Sequence, residues 1–275
     1  MQQRLSATWQ NPGQLIVALD VIKSAAEFTQ IYLNQPNKSM TMSKKKLVIS
    51  SGAGMSAESG IKTFRDADGL WENYPVMDVA SHEGFLRDPA LIHKFYNMLR
   101  HKLIDAKPNA GHLGLVELEK DFDVRVITQN VDDLHERAGS TNVLHLHGEL
   151  MKVRSLRHEE REYTLPCDQL TDKGLETSVD TRDPYGDPVR PHIVFFGEAV
   201  PNMEAAAQLA HDADIFVVIG TTLVVYPAAA LIQYVRRGVP IYYIDPKPAA
   251  VPDWVHVIPK PATQGIAELI DLLHS

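Results

Sequence analysis

A glycine-rich turn directly follows a short apolar run at residues 47–51. The turn contains Gly52, Ala53, Gly54, Ser56 and Ala57 in the spacing G-x-G-x-x-A. In such a sequence a strand leads into a tight turn and a helix start, and the small residues let backbone amides approach a pyrophosphate. The spacing predicts a phosphate-binding turn, although an ordinary turn of small residues can have the same spacing.

The segment after this turn is polar and aromatic where a second buried strand would be expected. It contains Ile61, Phe64, Arg65 and Trp71 among charged residues and glycine. We expect a mobile loop that covers a bound ligand, because binding residues are concentrated in such loops. The alternative is a surface loop that Phe64 and Trp71 merely anchor to the core.

A third group of polar residues lies just beyond the apolar run at 124–128. It contains Gln129, Asn130 and Asp132. Ligands of open α/β sheets bind at the carboxyl ends of the strands. The amide of Asn130 and the carboxylate of Asp132 could together pair with a carboxamide. Both side chains are equally suited to capping the next helix.

Two histidines alternate with apolar residues at the end of another short strand-like run, residues 143–146. His147 lies at the end of the run, where a histidine can act as a general base at neutral pH. The alternative is a structural histidine, and we expect that role for His145. A metal site at this pair is not predicted, because no third ligand follows at a suitable spacing.

Hydroxyl and carboxylate groups follow two further buried runs. Gly220, Thr221 and Thr222 come after the run at 215–219, and Asp245 follows the run at 241–244. Backbone amides and hydroxyls at such a turn suit phosphate, and a carboxylate at a strand end suits ribose hydroxyls. Either turn could instead be purely structural.

The elements that must position these groups follow from the apolar runs. Strand-like runs occur at 47–51, 124–128, 143–146, 193–196, 215–219 and 241–244, and helical spacing occurs at 110–120, 203–210 and 228–237. Several runs are apolar on both faces, which is typical of parallel strands covered by helices. The pattern predicts an α/β fold with a Rossmann-like, doubly wound parallel sheet.

Two insertions interrupt this alternation and predict a smaller lobe. Residues 78–108 have helical character, and residues 152–191 are charged and rich in turns. The Rossmann-like domain then consists of residues 44–77, 109–151 and 192–275. Residues 1–43 are expected to form an N-terminal extension.

Composition limits the possible classes of protein. The chain has 275 residues, 44% of them hydrophobic, and no apolar segment approaches the length of a membrane span. The net charge of -8 argues against nonspecific binding to nucleic acid. Cys167 is the only cysteine, so no internal disulfide can form. We expect a cytoplasmic protein that is not bound to membranes.

The ordered set of motifs resembles the sirtuin family, over about residues 45–273. The motifs are Gly52-Ala53-Gly54-Met55-Ser56, Gly60-Ile61, Phe64-Arg65, Gln129-Asn130-Val131-Asp132, His145-Leu146-His147-Gly148, Phe196-Gly197-Glu198 and Gly220-Thr221-Thr222. The resemblance implies an enzyme that uses NAD to remove acyl groups from protein lysine. Its products would be nicotinamide, O-acyl-ADP-ribose and the deacylated lysine, and its partner would be an acylated protein or peptide.

The resemblance also implies roles for individual residues. His147 would be the general base, with Asn130 beside it in the catalytic site. The NAD-binding residues would be Gly52, Ala53, Gly54, Ser56, Ile61, Phe64, Arg65, Trp71, Gln129, Asn130, Asp132, Gly220, Thr221, Thr222, Asp245 and Ala262. The substrate would contact Tyr96, Val194, Phe195, Phe196, Gly197 and Glu198.

The first of two departures from the family pattern concerns a metal. Sirtuins usually bind structural zinc through two cysteine pairs in the small lobe, whereas residues 152–191 contain only Cys167. We therefore predict a bacterial-type member without zinc, whose small lobe is held by packing instead. The apolar residues available for this packing are Leu156, Tyr163, Leu165, Leu170, Leu175 and Tyr185.

The second departure concerns the acyl group. Bacterial sirtuins that accept anionic acyl groups carry a Tyr-x-x-Arg pair, but here Leu99 follows Tyr96 in the arginine position. Arg100 is one residue late, and a shift of one residue turns a helical side chain by about 100°. Acetyl or other neutral acyl groups are therefore expected in preference to succinyl.

Two other functions remain open at this point. The same cleft could support protein ADP-ribosylation or NAD hydrolysis, which would release nicotinamide without an acyl peptide. The chain could also be a non-enzymatic NAD-sensing module. His147 argues against a sensor, because binding alone needs no general base.

Overall fold

The central element of the fold is a six-stranded parallel sheet. The structure is a computed structural model that describes residues 44–61, 70–172 and 174–275. The strands of the sheet are β1 (Lys46–Ser51), β4 (Asp123–Thr128), β5 (Val143–His145), β9 (Ile215–Ile219), β10 (Ile241–Ile244) and β11 (Val255–Ile258). Their order is β11-β10-β9-β1-β4-β5, so the first described strand lies in the middle and the later strands extend the sheet in both directions. All five pairings are parallel.

Helices cover both faces of this sheet because its central strands are apolar on both sides. On one face, α4 (Ala110–Leu118) and α7 (Ala262–His274) pack against alternate residues of β1 and β9. On the other face lie α6 (Met203–Asp212) and a 3-10 helix at Ala228–Tyr234. A short helix, α5 (Leu134–Ala138), follows β4. The helix expected at 228–237 is therefore a shorter 3-10 helix.

The first insertion forms a helical layer with its own apolar core. It contains α1 (Val76–Val79), α2 (His82–Arg87) and α3 (Pro89–Asp105), preceded by a small hairpin of β2 (Leu70–Trp71) and β3 (Tyr74–Pro75). Asp88 caps α3 by accepting a hydrogen bond from the amide of Leu91 at 2.9 Å, and proline occupies the first helical position. The buried face of α3 includes Phe95, Tyr96 and Leu99.

The second insertion contributes a three-stranded antiparallel sheet. Its strands are β6 (Gly148–Ser155), β7 (Glu162–Thr164) and β8 (Val189–Ile193), with β6 in the centre. The strand expected at 193–196 is wrong in both position and partner, because β8 ends at Ile193 and pairs antiparallel with β6. Residues 194–196 instead cross-link other segments: the amide of Val194 bonds the carbonyl of His147, and that of Phe196 bonds Ala80.

The core of this small sheet includes only part of the apolar set expected there. Leu165 and Leu170 are buried with Val153 and Val189, and Tyr163, Cys167 and Leu175 pack against them. Leu156 and Tyr185 are instead 42% and 73% exposed, so these two side chains do not contribute to the core.

Charged groups supply further contacts in this part of the chain. Asp187 pairs with Arg157 at 3.0 Å and with Arg161 at 3.2 Å. The guanidinium of Arg161 also lies 4.2 Å from the centre of the Tyr185 ring.

Within the described ranges, no helix combines the length and apolar character needed to cross a bilayer.

Candidate active site

A cleft lies at the carboxyl ends of the parallel strands, where the helical insertion and the small sheet meet them. Most of the residues singled out in the sequence line it. They are Gly52, Ala53, Ser56, Ile61, Trp71, Tyr96, Gln129, Asn130, Asp132, His147, Val194, Phe195, Phe196, Gly197, Glu198 and Thr221.

The glycine turn after β1 packs directly on the turn after β9. The amide of Gly52 donates to the carbonyl of Ile219 at 2.9 Å, and that of Gly54 donates to Gly220 at 2.8 Å. A Cβ on Gly54 would lie 2.7 Å from the Cα of Gly220. Gly220 itself has φ +64°, a conformation that side chains disfavour. Two short 3-10 helices, Ala53–Met55 and Ala57–Ser59, follow the turn where a helix start was expected.

The loop after β4 has four consecutive carbonyls bonded to the segment 145–150. Backbone amides bond the outer two: Leu146 donates to Thr128 at 2.9 Å, and Leu150 donates to Val131 at 2.7 Å. Histidine rings bond the inner two, with His147 Nδ1 3.0 Å from the Gln129 carbonyl and His145 Nδ1 3.1 Å from that of Asn130. The two histidine side chains thus extend the hydrogen bonding between β4 and β5 beyond the last paired residues of these strands.

The geometry of His147 determines which of its ring nitrogens carries the proton. A carbonyl can only accept, so Nδ1 donates to Gln129 and the neutral ring leaves Nε2 as an acceptor. Burial lowers the pKa of His147 and outweighs the opposing hydrogen bond to Gln129. At neutral pH the ring is therefore uncharged, as a general base must be.

Ser56 connects the glycine turn to the polar residues after β4. Asn130 donates from Nδ2 to the Ser56 hydroxyl at 3.1 Å, and its backbone amide bonds Thr128 Oγ1 at 3.0 Å. Burial raises the pKa of Asp132 to about 6, although hydrogen bonds from Ser56 and the Leu134 amide oppose the shift. Asn130 and Asp132 are 7% and 6% exposed. Asn130 thus presents a fixed amide to the cleft, and Asp132 presents a carboxylate that accepts few hydrogen bonds.

The cleft wall at 193–198 is held by a buried ion pair. Both carboxylate oxygens of Glu198 bind Arg190, at 2.6 and 3.2 Å. Glu198 also accepts bonds from the Phe195 amide at 2.9 Å and from His82 at 3.0 Å. Burial would raise the pKa of Glu198, but these donors outweigh burial and lower it to about 2. The Glu198 carboxylate thus fixes the backbone of this wall by binding Arg190 and the Phe195 amide.

Aromatic rings form the side of the cleft nearest the helical insertion. Trp71 packs edge-on against Phe95 at 5.1 Å and Tyr96 at 6.4 Å, measured between ring centres. Tyr96 is fully buried, and its hydroxyl has no hydrogen-bond partner among the described residues. Burial raises the pKa of this hydroxyl, which therefore stays protonated and available as a donor.

Comparisons with known proteins establish the family of the chain. The profile of the Sir2 family matches residues 52–227. The chain belongs to the Sir2 family. A Bacteroides thetaiotaomicron protein named NAD-dependent protein deacylase is 53% identical over 231 residues, which are 83% of this chain and 98% of that protein. A Helicobacter pylori protein of the same name is 48% identical over 83% of this chain and 97% of its own length.

Solved Sir2 structures share the fold. A Sir2 homologue in complex with NAD has a TM-score of 0.71 and 36% identity, over 84% of this chain and 90% of that one. A Sir2 protein bound to a propionylated peptide has a TM-score of 0.69 and 29% identity, over 84% of this chain and 94% of that one. The sirtuin resemblance and the Rossmann-like fold with a separate small lobe are confirmed.

Several predicted Sir2 site residues do not line the cleft. Gly54 and Gly220 lie beneath it, in the packed turns described above. Thr222 follows β9, Asp245 follows β10, and Ala262 begins α7. All three lie at the same edge of the sheet, but none of them lines the cleft. Phe64 and Arg65 lie outside the described residues.

Val131 also lines the cleft, within the motif Gln129-Asn130-Val131-Asp132 but without a predicted role. Other lining residues escaped prediction because they stand in no motif: Val76, Ala80, Ile193, Val200, Val225, Tyr226 and Pro227. An aromatic residue, Tyr226, only four positions after Thr222 was the available signal in the sequence. Within the described ranges, no group of three or more His, Cys, Asp or Glu side chains is arranged to hold a metal.

Proposed function

We propose that this Sir2 protein is an NAD-dependent protein-lysine deacylase, with deacetylation its preferred reaction. The observation that carries the proposal is the neutral His147 ring, whose Nε2 is left as a proton acceptor in a cleft that also contains Asn130 and Asp132. Curated relatives at 53% and 48% identity carry the name of this activity.

The residues of the cleft fit NAD. Asp132 is a buried carboxylate that would gain a donor from the nicotinamide carboxamide, and Asn130 is fixed by Ser56 beside it. Ala53, Ser56 and Thr221 would face the phosphates and ribose, with Gln129 near the second ribose. When bound, NAD would supply a ribose carbon at which the bond to nicotinamide breaks.

His147 would then accept a proton from a ribose hydroxyl at Nε2. The Gln129 carbonyl oxygen lies 3.0 Å from Nδ1, so the ring keeps its orientation and Nδ1 stays protonated while Nε2 accepts the proton. General bases of this kind contribute about 10² to 10⁴ in rate. His147 is thus the catalytic residue whose removal has the largest expected effect.

The acylated peptide would bind as an extended strand between residues 194–198 and 225–227, which both line the cleft. It would use backbone groups other than the amides of Val194, Phe195 and Phe196, which already bond His147, Glu198 and Ala80. Strand addition uses backbone hydrogen bonds, which suit many sequences. Phe196 is 43% exposed and Tyr226 is 69% exposed, and both border the cleft. These rings would contact the peptide on either side of the modified lysine, while Tyr96 and Trp71 would surround the acyl group.

Arg100 supports the preference for neutral acyl groups. Its guanidinium donates to the Leu150 carbonyl at 2.8 Å and to Asn97 Oδ1 at 2.7 Å, and Arg100 is not among the residues that line the cleft. Leu99 is buried among apolar side chains. We expect faster single-turnover removal of acetyl than of succinyl from the same peptide, and a clear succinyl preference would contradict this assignment.

We further propose that the small lobe contains no zinc, that the protein is cytoplasmic, and that nucleic acid and membranes are not its partners. One cysteine cannot form a zinc site of the usual cysteine type. A chain with one cysteine also gains no internal disulfide from an oxidising compartment. The net charge of -8 disfavours polyanions. Stoichiometric zinc in the purified, dialysed protein would contradict the first of these proposals.

The decisive experiment uses an acetylated lysine peptide with NAD. The wild-type chain should release nicotinamide and deacetylated peptide together, and His147→Ala should lose roughly 10²-fold or more in rate while keeping its affinity for ADP-ribose. His274→Ala is the matched control, because His274 is exposed and paired with Asp121, away from the cleft. Nicotinamide release without any acyl peptide would instead favour NAD hydrolysis or ADP-ribosylation.

A further inference from the structure

His145, the first histidine of the His-Leu-His sequence, occupies a position that a simple packing role does not explain. Its side chain is 9% exposed, and both of its ring nitrogens face acceptors. Nδ1 lies 3.1 Å from the Asn130 carbonyl, and Nε2 lies 2.8 Å from Glu136 Oε1. A neutral imidazole has only one N–H, so only the imidazolium can donate to both.

The surroundings of His145 stabilise this charged form. Burial opposes it, but the hydrogen bond and the charge of Glu136 outweigh burial and raise the pKa of His145. The same contact lowers the pKa of Glu136 against the effect of its own burial. Hydrogen bonds within such a charged pair are shorter and stronger than neutral ones.

The pair connects the two ends of the loop that contains Asn130. Glu136 lies on α5, directly after the loop, and His145 ends β5 beside it. The imidazolium therefore binds both the carbonyl of Asn130 and the helix that follows. Asn130 is bonded through its amide to Thr128, through its side chain to Ser56 and through its carbonyl to His145. Removing the last of these bonds frees the peptide plane between Asn130 and Val131.

We propose that His145 is a positioning residue for the nicotinamide end of the cleft, acting through the carbonyl of Asn130. The inference rests on the proposed function, because it assigns Asn130 and Asp132 to the nicotinamide carboxamide. It adds a second role to the His-Leu-His sequence: His147 accepts the proton, and His145 holds the residue that orients the cofactor.

Two amide substitutions test which ring nitrogen matters. In His145→Asn the amide nitrogen can take the place of Nδ1 and still donate to Asn130. In His145→Gln it can take the place of Nε2 and reach only Glu136. Both variants lose the charge and keep a polar side chain, so they form a matched pair. His145→Phe removes both bonds while keeping a ring.

The measurements separate the nicotinamide end of the cleft from the rest. Inhibition of the deacylation reaction by nicotinamide reports on the pocket of Asn130 and Asp132, whereas binding of ADP-ribose, which lacks nicotinamide, reports on the remainder. His145→Gln and His145→Phe should weaken nicotinamide inhibition and raise the KM for NAD about tenfold, the scale of one lost charge-assisted hydrogen bond. His145→Asn should stay within about threefold of wild type, and ADP-ribose affinity should be unchanged in all three variants.

Three results would count against this inference. Equal effects of the Asn and Gln variants would show that the charge, and not the bond to Asn130, is what matters. Parallel losses of nicotinamide inhibition and ADP-ribose affinity would indicate a general structural defect. A wild-type chain that neither binds ADP-ribose nor responds to nicotinamide would overturn the proposed function together with the inference. His274→Asn and His274→Gln serve as controls at another histidine-carboxylate pair and should change none of these values.

Discussion

The substitution Glu198→Gln tests how the cleft wall is held together. Glu198 is 15% exposed in its side chain and neutralises Arg190, which is 6% exposed, through two hydrogen bonds. A second guanidinium, that of Arg154, lies 3.8 Å away. Glutamine keeps the shape of the side chain but leaves the buried Arg190 without its carboxylate partner and removes one of the carboxylates near Arg154, a change that is strongly destabilising in protein interiors.

The size of the effect follows from the pKa of Glu198, which is about 2 in the folded chain compared with an ordinary value of 4.5. At about 1.4 kcal/mol per pH unit, this lowering corresponds to roughly 3 kcal/mol of stability at neutral pH. Because the folded-state pKa is the lower one, the stabilisation is complete above pH 4.5 and disappears as the pH falls towards 2. At pH 4 the wild-type chain should already have lost a minor part of it.

Urea unfolding at pH 7 and pH 4 measures both quantities. Glu198→Gln should lower the free energy of unfolding by roughly 3 kcal/mol at pH 7 and by less at pH 4. Asp78→Asn, at an exposed ion pair with Arg87, is the matched control and should cost less than about 1 kcal/mol. Adding Arg190→Met to Glu198→Gln should recover part of the loss, because it removes a charge left unpaired. A loss below about 1 kcal/mol at pH 7, or no recovery in the double variant, would refute this reasoning.

Two other substitutions are informative. Burial raises the pKa of Asp132 to about 6, so its ionised form costs stability above pH 6 and none below the ordinary value of 3.8. Asp132→Asn should therefore raise the Tm at pH 8 but not at pH 4, while weakening nicotinamide inhibition; a lower Tm at pH 8 would contradict this. Gly54→Ala would place a Cβ 2.7 Å from Gly220 Cα and should cost about 1–3 kcal/mol in urea unfolding. Unchanged stability would show that the two turns can separate freely.

The parallel strands of the sheet could be predicted where they are buried on both faces. β1 and β9 are nearly continuous apolar runs that end in glycine, which few other elements resemble. β11 was missed because it is an edge strand with two exposed residues out of four, so it lacks that pattern. The run at 193–196 was assigned to the wrong sheet, since an apolar run reveals burial but not the partner that provides it.

The polar residues of the site were recognisable because glycine and polar groups follow the strands. The residues that support them were not, because a buried charge looks like a surface charge in a sequence. Arg190 is 5% exposed and stands in no motif, and Arg100, which is 0% exposed, was considered only as a ligand for the acyl group. His145 was assigned to packing for the same reason: its two acceptors are 15 residues before it, at Asn130, and 9 residues before it, at Glu136. The register of β4 against β5 brings Asn130 to His145, and α5 brings Glu136.

The glycine turn shows how a sequence prediction can rest on an incomplete physical reason. The spacing of Gly52 and Gly54 was interpreted as room for a pyrophosphate, but their amides already bond Ile219 and Gly220. A Cβ on Gly52 would lie 2.7 Å from that of Thr221, so contact between the two turns requires glycine before any ligand binds. Two neighbouring strands that end in turns packed this tightly would therefore need the same glycine spacing even without a nucleotide. What distinguishes a nucleotide site from such a turn is the set of groups facing it across the cleft: Asn130, Asp132 and His147.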